Sequence, residues 1–332
     1  MTDFEAKTVD GPTWEKQIAK SGEFVRRGSQ FRDWIEPRAD APFPAEAGRY
    51  HLYVSLACPW AHRTLIVRQL KGLESSISLD VSDWFLPHDG WTFTARDAGA
   101  TLDTVFGEQR LRDIYERSVA DYQGSVTVPT LLDKQSGKIV NNESSEILRM
   151  FGSAFDHLGA KSGVDLYPEA LRKEIDAINS WVYTDINNGV YKSGFARTQV
   201  AYDQAVTRLF EALDRAEALL TTRRYLAGDR LTEADVRLWT TLIRFDPVYS
   251  THFKCNVRRL VDYPQLWGFA RELYAHPAFR STTNFTHIVQ HYFGSHASIN
   301  PFRIVPAGPL IDYAAPHQRG HLRSSWFPGL EE

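Results

Sequence analysis

The apolar positions change period along the chain. Between residues 47 and 160 they come in short runs: Arg49-Tyr50-His51-Leu52-Tyr53-Val54, alternating Ile77-Ser78-Leu79-Asp80-Val81, Val126-Thr127-Val128-Pro129-Thr130-Leu131-Leu132 and Lys138-Ile139-Val140-Asn141. Runs of this length and β-branched content predict strands. Between them lie helix patterns at Thr64–Lys71, stopped by Gly72, at Leu111–Tyr115, and one opening at Glu143-Ser144-Ser145. From residue 168 to 300 the spacing becomes helical: Tyr202, Ala205, Val206, Leu209, Phe210, Leu213, Ala216 and Leu220 share one face. Thr232-Glu233-Ala234-Asp235 reads as a capping box for a helix through Leu242, which Asp246-Pro247 ends. Asp262-Tyr263-Pro264 opens another, closed by His276-Pro277.

These patterns predict four regions. Residues 1–46 form a polar extension anchored at Trp14, Phe24 and Trp34; 47–160 form a small α/β domain; 168–300 form an all-helical domain; 301–332 form a Pro/Gly-rich tail over the surface. A strand-helix-strand opening makes the first two strands parallel if the helix is a crossover. Proline at 129 is out of place in a regular strand and marks an edge, bulge or bend. The loop from Ser82 to Gly107 holds Trp84, Phe85, Trp91 and Phe93. A loop this long with this content predicts a functional segment.

Net charge narrows the partners. At −3 over 332 residues, with no basic run, the chain has no nucleic-acid or membrane-surface signature. No stretch approaches the ~20 apolar residues of a membrane span, and Met1–Lys7 has no apolar signal core. The two cysteines, Cys58 and Cys255, are few for a secreted chain. The expectation is a reduced, cytoplasmic protein.

Cys58 is the chemical centre. It sits where the first strand turns into the first helix, with Pro59 at the first helical position. The first N–H groups of that helix lack intrahelical partners and point toward the Cys58 side chain, favouring thiolate over thiol. A free thiol, with a pKa of about 8.5, is only roughly 3% ionised at pH 7. Position 61 is alanine, so there is no Cys-x-x-Cys partner, and a mixed disulfide at Cys58 must be cleared by an outside thiol. The competing reading is a small buried hydrophobe.

The order strand-helix-strand, then helix-strand-strand-helix, with Cys58-Pro59 at the first turn and Val128-Pro129 later, resembles the thioredoxin-like domain of glutathione transferases, followed by their helical bundle. Six segments resemble one branch more closely: Cys58-Pro59-Trp60-Ala61-His62-Arg63, Asp89-Gly90-Trp91, Asn142-Glu143-Ser144, Asn187 through Phe195, Leu231 through Trp239, and Arg244-Phe245-Asp246-Pro247-Val248-Tyr249. These are similar to the glutathionyl-hydroquinone reductases, the xi class of glutathione transferases, over about residues 14–310.

The resemblance implies a fold, a reaction and a site. Cys58 would attack the sulfur of a glutathionyl-hydroquinone, releasing hydroquinone and leaving a Cys58–glutathione mixed disulfide that a second glutathione clears. Tyr191 would protonate the leaving aromatic carbon, and Tyr249 and Tyr292 would stand near the thiol. Glutathione, the co-substrate, would contact Trp91, the Val126-Thr127-Val128 backbone, Glu143 through its ammonium and Ser144 through its γ-glutamyl carboxylate. Ser125 stands where the family commonly has arginine, which removes a charge-assisted contact to the glycyl carboxylate. The family also implies a homodimer through the helical domain. From the residues alone Ser144 reads as a helix cap and the three tyrosines as core aromatics.

Two other functions stay open at this level: a conjugating or thiol-transferring glutathione transferase, and a glutathione-binding scaffold without turnover. A cysteine at 58 disfavours conjugation, which uses a Ser or Tyr hydroxyl there. His287, His291 and His296 lie at a spacing that can hold metal. Without a further ligand they read as a polar helix face or quinol contacts, and no metal is expected. Cys255 reads as packed.

Overall fold

Strand β1 (Tyr50–Val54) is buried along its whole length and is the second strand of a four-stranded sheet ordered β2-β1-β3-β4. Helix α1 (Pro59–Leu70) crosses over to β2 (Ile77–Val81), which pairs with β1 in parallel from Tyr50↔Ile77 to Val54↔Val81. After α2 (Leu111–Ser118), β3 (Thr130–Asp133) pairs antiparallel to β1, and β4 (Lys138–Asn141) antiparallel to β3. Helix α3 (Ser144–Ser153) then packs on α1. The computed structural model describes residues 17–158, 161 and 163–325. Trp14, expected to be an anchor, lies outside the described residues.

The strand expected over Val126–Leu132 begins only at Thr130. Pro129 has no N–H for the ladder, and it follows a cis peptide bond from Val128. Val126–Val128 are left outside the sheet, and the Val128 carbonyl oxygen lies 3.5 Å from Cys58 Sγ.

Helix α4 (Arg172–Trp181) runs through a π-helical segment, Val182–Asn187, into α5 (Gly189–Phe195). Next come α6 (Gln199–Leu220), whose apolar face is the one the spacing predicted, and α7 (Glu233–Arg244), opened by the Thr232/Asp235 capping box. Asp246-Pro247 does not end that helix. The chain widens into a second π-helical segment, Phe245–Tyr249, and goes on as the turn α8 (Ser250–His252). A π turn absorbs the missing proline N–H, while the Asp246 carboxylate accepts from the Leu260 and Val261 amides at 2.6 and 3.1 Å. Helices α9 (Pro264–Ala275), α10 (Pro277–Arg280) and α11 (Phe285–Ser295) follow, each of the first two starting on its proline.

Contacts of α1 with α7 and α10 join the sheet half to the helical half, so the Cys58 turn lies at their seam. Phe24 of the extension is buried as expected, but Trp34 is 42% exposed. The tail is held at Tyr313, packed against Trp267, Tyr274 and Phe285, and at Arg319, whose guanidinium donates to Glu272 at 2.9 Å. Among the described residues no helix is long and apolar enough to cross a membrane.

Candidate active site

Cys58 is the N-cap of α1, in extended conformation, with Pro59 at the first helical position. It is partly accessible, and its Sγ lies 3.5 Å from the Val128 carbonyl oxygen. The expected bias toward thiolate is corrected. Burial is the largest influence and pushes the thiol up; the amides of Ala61 and Trp60 and the charges of Arg244 and Arg26 pull it back. Helix-end N–H groups act as the sequence implies, but the enclosing protein desolvates the anion.

Three tyrosines from three different elements converge here. The Tyr191 hydroxyl of α5 is 2.6 Å from that of Tyr292 on α11, which is 3.0 Å from that of Tyr249 in the second π segment. All three are buried. Burial raises each phenol, and for Tyr191 the neighbouring Cys58 adds to the rise. The hydroxyls therefore stay protonated at neutral pH, forming a chain of proton donors beside the thiol.

The expected glutathione residues fall into two groups. Glu143, rather than Ser144, is the N-cap of α3: its carboxylate accepts from the Ser145 amide at 3.1 Å, and from the hydroxyls of Ser145 and Ser29 at 2.8 and 3.0 Å. Although burial opposes it, these donors and Arg63 hold Glu143 below the usual carboxylate range, so it is ionised and fits an ammonium group. Ser144 opens the helix, buried, with its Oγ 3.4 Å from an Arg63 nitrogen. Trp91 is buried and stacks on His291 with centroids 5.0 Å apart. Val126 and Val128 are buried, but Thr127 turns the other way: its carbonyl accepts from the Tyr115 and Thr130 hydroxyls at 2.8 and 2.6 Å. Ser125 lines a neighbouring cavity of about 320 Å³ together with Arg26 and Arg27. Ionised Glu143, the α3 N-terminus with Ser144, the Val128 backbone and Trp91 suit a zwitterionic tripeptide thiol laid against Cys58.

Several residues at the site have no role in the sequence reading. Arg244, fully buried on α7, donates to the carbonyls of Ala57 at 2.9 Å and Leu56 at 3.1 Å, and to Thr240 at 2.8 Å. It also lies 3.1 Å from His62 Nδ1. It thus fixes the Cys58 turn from behind, and its place at the head of a matched segment was the only signal in the sequence. Arg63 donates to Asn187 Oδ1 at 2.6 Å, tying α1 to the π segment before Tyr191. Arg26 arrives from the extension and had no signal at all.

The three histidines are not a polar face. His287 bonds the Ala98 carbonyl and His291 that of Trp84, each at 2.9 Å, pinning the aromatic loop to α11. His296 lies 3.1 Å from His252. Among the described residues no group of His, Cys, Asp or Glu is placed to hold a metal ion. Cys255 is buried and unpaired, its thiol pushed up by burial.

The chain matches two family models: the glutathione S-transferase N-terminal domain over residues 57–154 and the C-terminal domain over 199–272. It is 52% identical over 320 residues to the glutathionyl-hydroquinone reductase YqjG of Escherichia coli, covering 94% of this chain and 97% of that protein. A glutathione-bound structure of YqjG superposes with a TM-score of 0.84 at 54% identity, over 87% of this chain and 96% of that one. The glutathionyl-hydroquinone reductase PcpF of Sphingobium chlorophenolicum is 50% identical over 304 residues, 91% of this chain and 95% of PcpF. The Xi glutathione S-transferase of Phanerochaete chrysosporium has a TM-score of 0.85 at 54% identity, over 88% of this chain and 99% of its own. This chain belongs to the glutathionyl-hydroquinone reductases, the Xi class of glutathione transferases.

Proposed function

We propose that this protein is a glutathione-dependent reductase of glutathionyl-hydroquinones. The observation that carries the reading is the Tyr249–Tyr292–Tyr191 hydroxyl chain ending beside a cysteine, not a serine, at the α1 N-terminus. Cys58 thiolate attacks the glutathione sulfur, and the carbon–sulfur bond breaks. The aromatic carbon takes the electron pair and a proton from Tyr191, giving hydroquinone and a Cys58–glutathione disulfide. A second glutathione thiolate attacks that disulfide, releasing glutathione disulfide and restoring Cys58. The resolving thiol comes from solution, because position 61 is alanine and Cys255 is buried in the core.

Within this reading Tyr292 and Tyr249 hold the Tyr191 proton and re-supply it. Glu143 takes the γ-glutamyl ammonium, Ser144 and the α3 N-terminus its carboxylate, Val128 the cysteinyl backbone and Trp91 an indole contact. Ser125 leaves the glycyl carboxylate without an arginine. Residues 47–160 form the glutathione-binding domain and 168–300 the helical domain, through which two copies pair as a homodimer in the cytoplasm. Two cysteines that are both free of disulfides suit a reducing compartment.

Product analysis tests the reaction. Glutathionyl-hydroquinone plus glutathione should yield hydroquinone and glutathione disulfide with the native protein and neither with Cys58→Ala. With the second thiol withheld, Cys58 should carry a glutathione-sized mass. Conjugation of a model electrophile without either product would overturn the reading in favour of a transferase; binding of glutathione with no turnover would favour a scaffold.

A further inference from the structure

Residues 18–33 cross the cleft between the two halves of the molecule and are fastened at both ends. On the helical side, the Gly22 carbonyl accepts from the Arg197 amide at 2.9 Å, and the Ser21 carbonyl from the Thr198 hydroxyl at 3.0 Å. Phe24 is buried against Phe195 and Tyr191. On the sheet side, the Phe31 amide donates to Asn142 Oδ1, and its carbonyl accepts from the Asn142 amide, both at 3.1 Å. The Ser29 hydroxyl donates to Glu143 at 3.0 Å.

Between these anchors the strap presents Arg26. Its guanidinium lies 4.7 Å from the centroid of Tyr191 and 4.8 Å from that of Trp60. Its Nε donates to Asn188 Oδ1 at 2.7 Å, which fixes the plane. Tyr191 is the proposed acid, and Trp60 lies two residues from Cys58, its amide directed at the sulfur. The side-chain acceptor it meets there, the Asn188 amide oxygen, is neutral. A guanidinium stacked on two aromatic faces keeps its charge and gives orientation as well.

We propose that Arg26 is a positioning residue of this site: its charge favours the Cys58 thiolate, and its planar face holds the Tyr191 ring toward the sulfur. The second half rests on the reductase reading; the first does not. The groups that bear on the sulfur are the Trp60 and Ala61 amides from α1, the Val128 carbonyl, Arg244 from α7, Tyr191 from α5 and Arg26 from the strap. Of these, Arg26 is the cation whose removal leaves the Cys58 turn itself intact, because Arg244 holds that turn.

The test uses the full-length protein and no quinol. Iodoacetamide labelling of Cys58 is followed by mass across pH for the native chain, Arg26→Gln, Arg26→Lys and Asn188→Ala. Loss of one partly screened charge should move the Arg26→Gln midpoint up by about half to one pH unit. The labelling rate at pH 7 should then fall about three- to tenfold. Arg26→Lys, which keeps the charge, should restore most of it. An unchanged midpoint in Arg26→Gln, or an equal rise in Arg26→Lys, overturns the proposal. Should Arg26→Gln fail to fold, Asn188→Ala decides: a smaller upward move supports the role and none overturns it. Failure of the reductase assay leaves this titration unaffected, so the two readings fail separately.

Discussion

The hydroxyl oxygens of Tyr191 and Tyr292 lie 2.6 Å apart although the residues are 101 positions apart in sequence. The pair is buried and flanked by Tyr249, so the three hydroxyls form one hydrogen-bonded chain, which the proposed mechanism uses as a relay. Tyr191→Phe should lower kcat about 100- to 10,000-fold, the range for a lost general acid, with glutathione affinity nearly unchanged. Tyr292→Phe leaves Tyr191 in place and should cost about tenfold. Equal losses in both, or a matching loss of glutathione binding, would place the tyrosines in packing alone; steady-state kinetics with calorimetric binding separates the cases.

Arg244 donates to two carbonyls of the turn that presents Cys58, those of Leu56 and Ala57. Removing it strands buried acceptors and leaves His62 Nδ1 facing an empty position, although His62 Nε2 keeps Thr282 at 2.9 Å. Arg244→Met should destabilise the fold by about 3 kcal/mol or more. Arg244→Lys should recover little, since an ammonium cannot span the same set of acceptors. Urea denaturation measures both; a Lys variant of native stability would refute the bridging role.

Ser125 faces a cavity that Arg26 and Arg27 also line. An arginine at 125 would add a cation for the glycyl carboxylate. Ser125→Arg should tighten glutathione about three- to tenfold, on the order of 1 kcal/mol for a part-exposed pair. No tightening by calorimetry would count against a missing contact at position 125.

His291 has its pKa pushed down to about 4 and His252 to about 3, chiefly by burial, and His62 and His296 are lowered as well. The unfolded chain binds protons at these sites near pH 6.5 while the native state does not. Their stabilising contribution is therefore complete above about pH 6.5 and is lost as pH falls toward 4. For His291 alone the loss is roughly 3 kcal/mol across that window. The urea midpoint should drop steeply there, and His291→Asn should flatten the drop. A midpoint indifferent to pH between 6.5 and 4 would contradict this account.

The sequence by itself determined the elements and the place of the reactive thiol. Local rules suffice for these: β1, α1 and β2 follow from the apolar period, the α7 start from its capping box, and the Cys58 turn from Pro59. Matched segments were enough to select the family and to point to Tyr191 and Tyr249, and the family resemblance added Tyr292. Tertiary structure alone decided what those residues meet. The start of β3 moved to Thr130 and a helix passed through Pro247, because a missing N–H was accommodated by the local backbone. The Cys58 thiol is raised rather than lowered, because desolvation depends on everything that encloses the sulfur and helix-end N–H groups are only one part of it. Arg26 reaches Tyr191 and Arg244 reaches the Cys58 turn across 165 and more than 180 positions of chain. No period or local spacing records such contacts, since they exist only once the strap and α7 have packed across the seam.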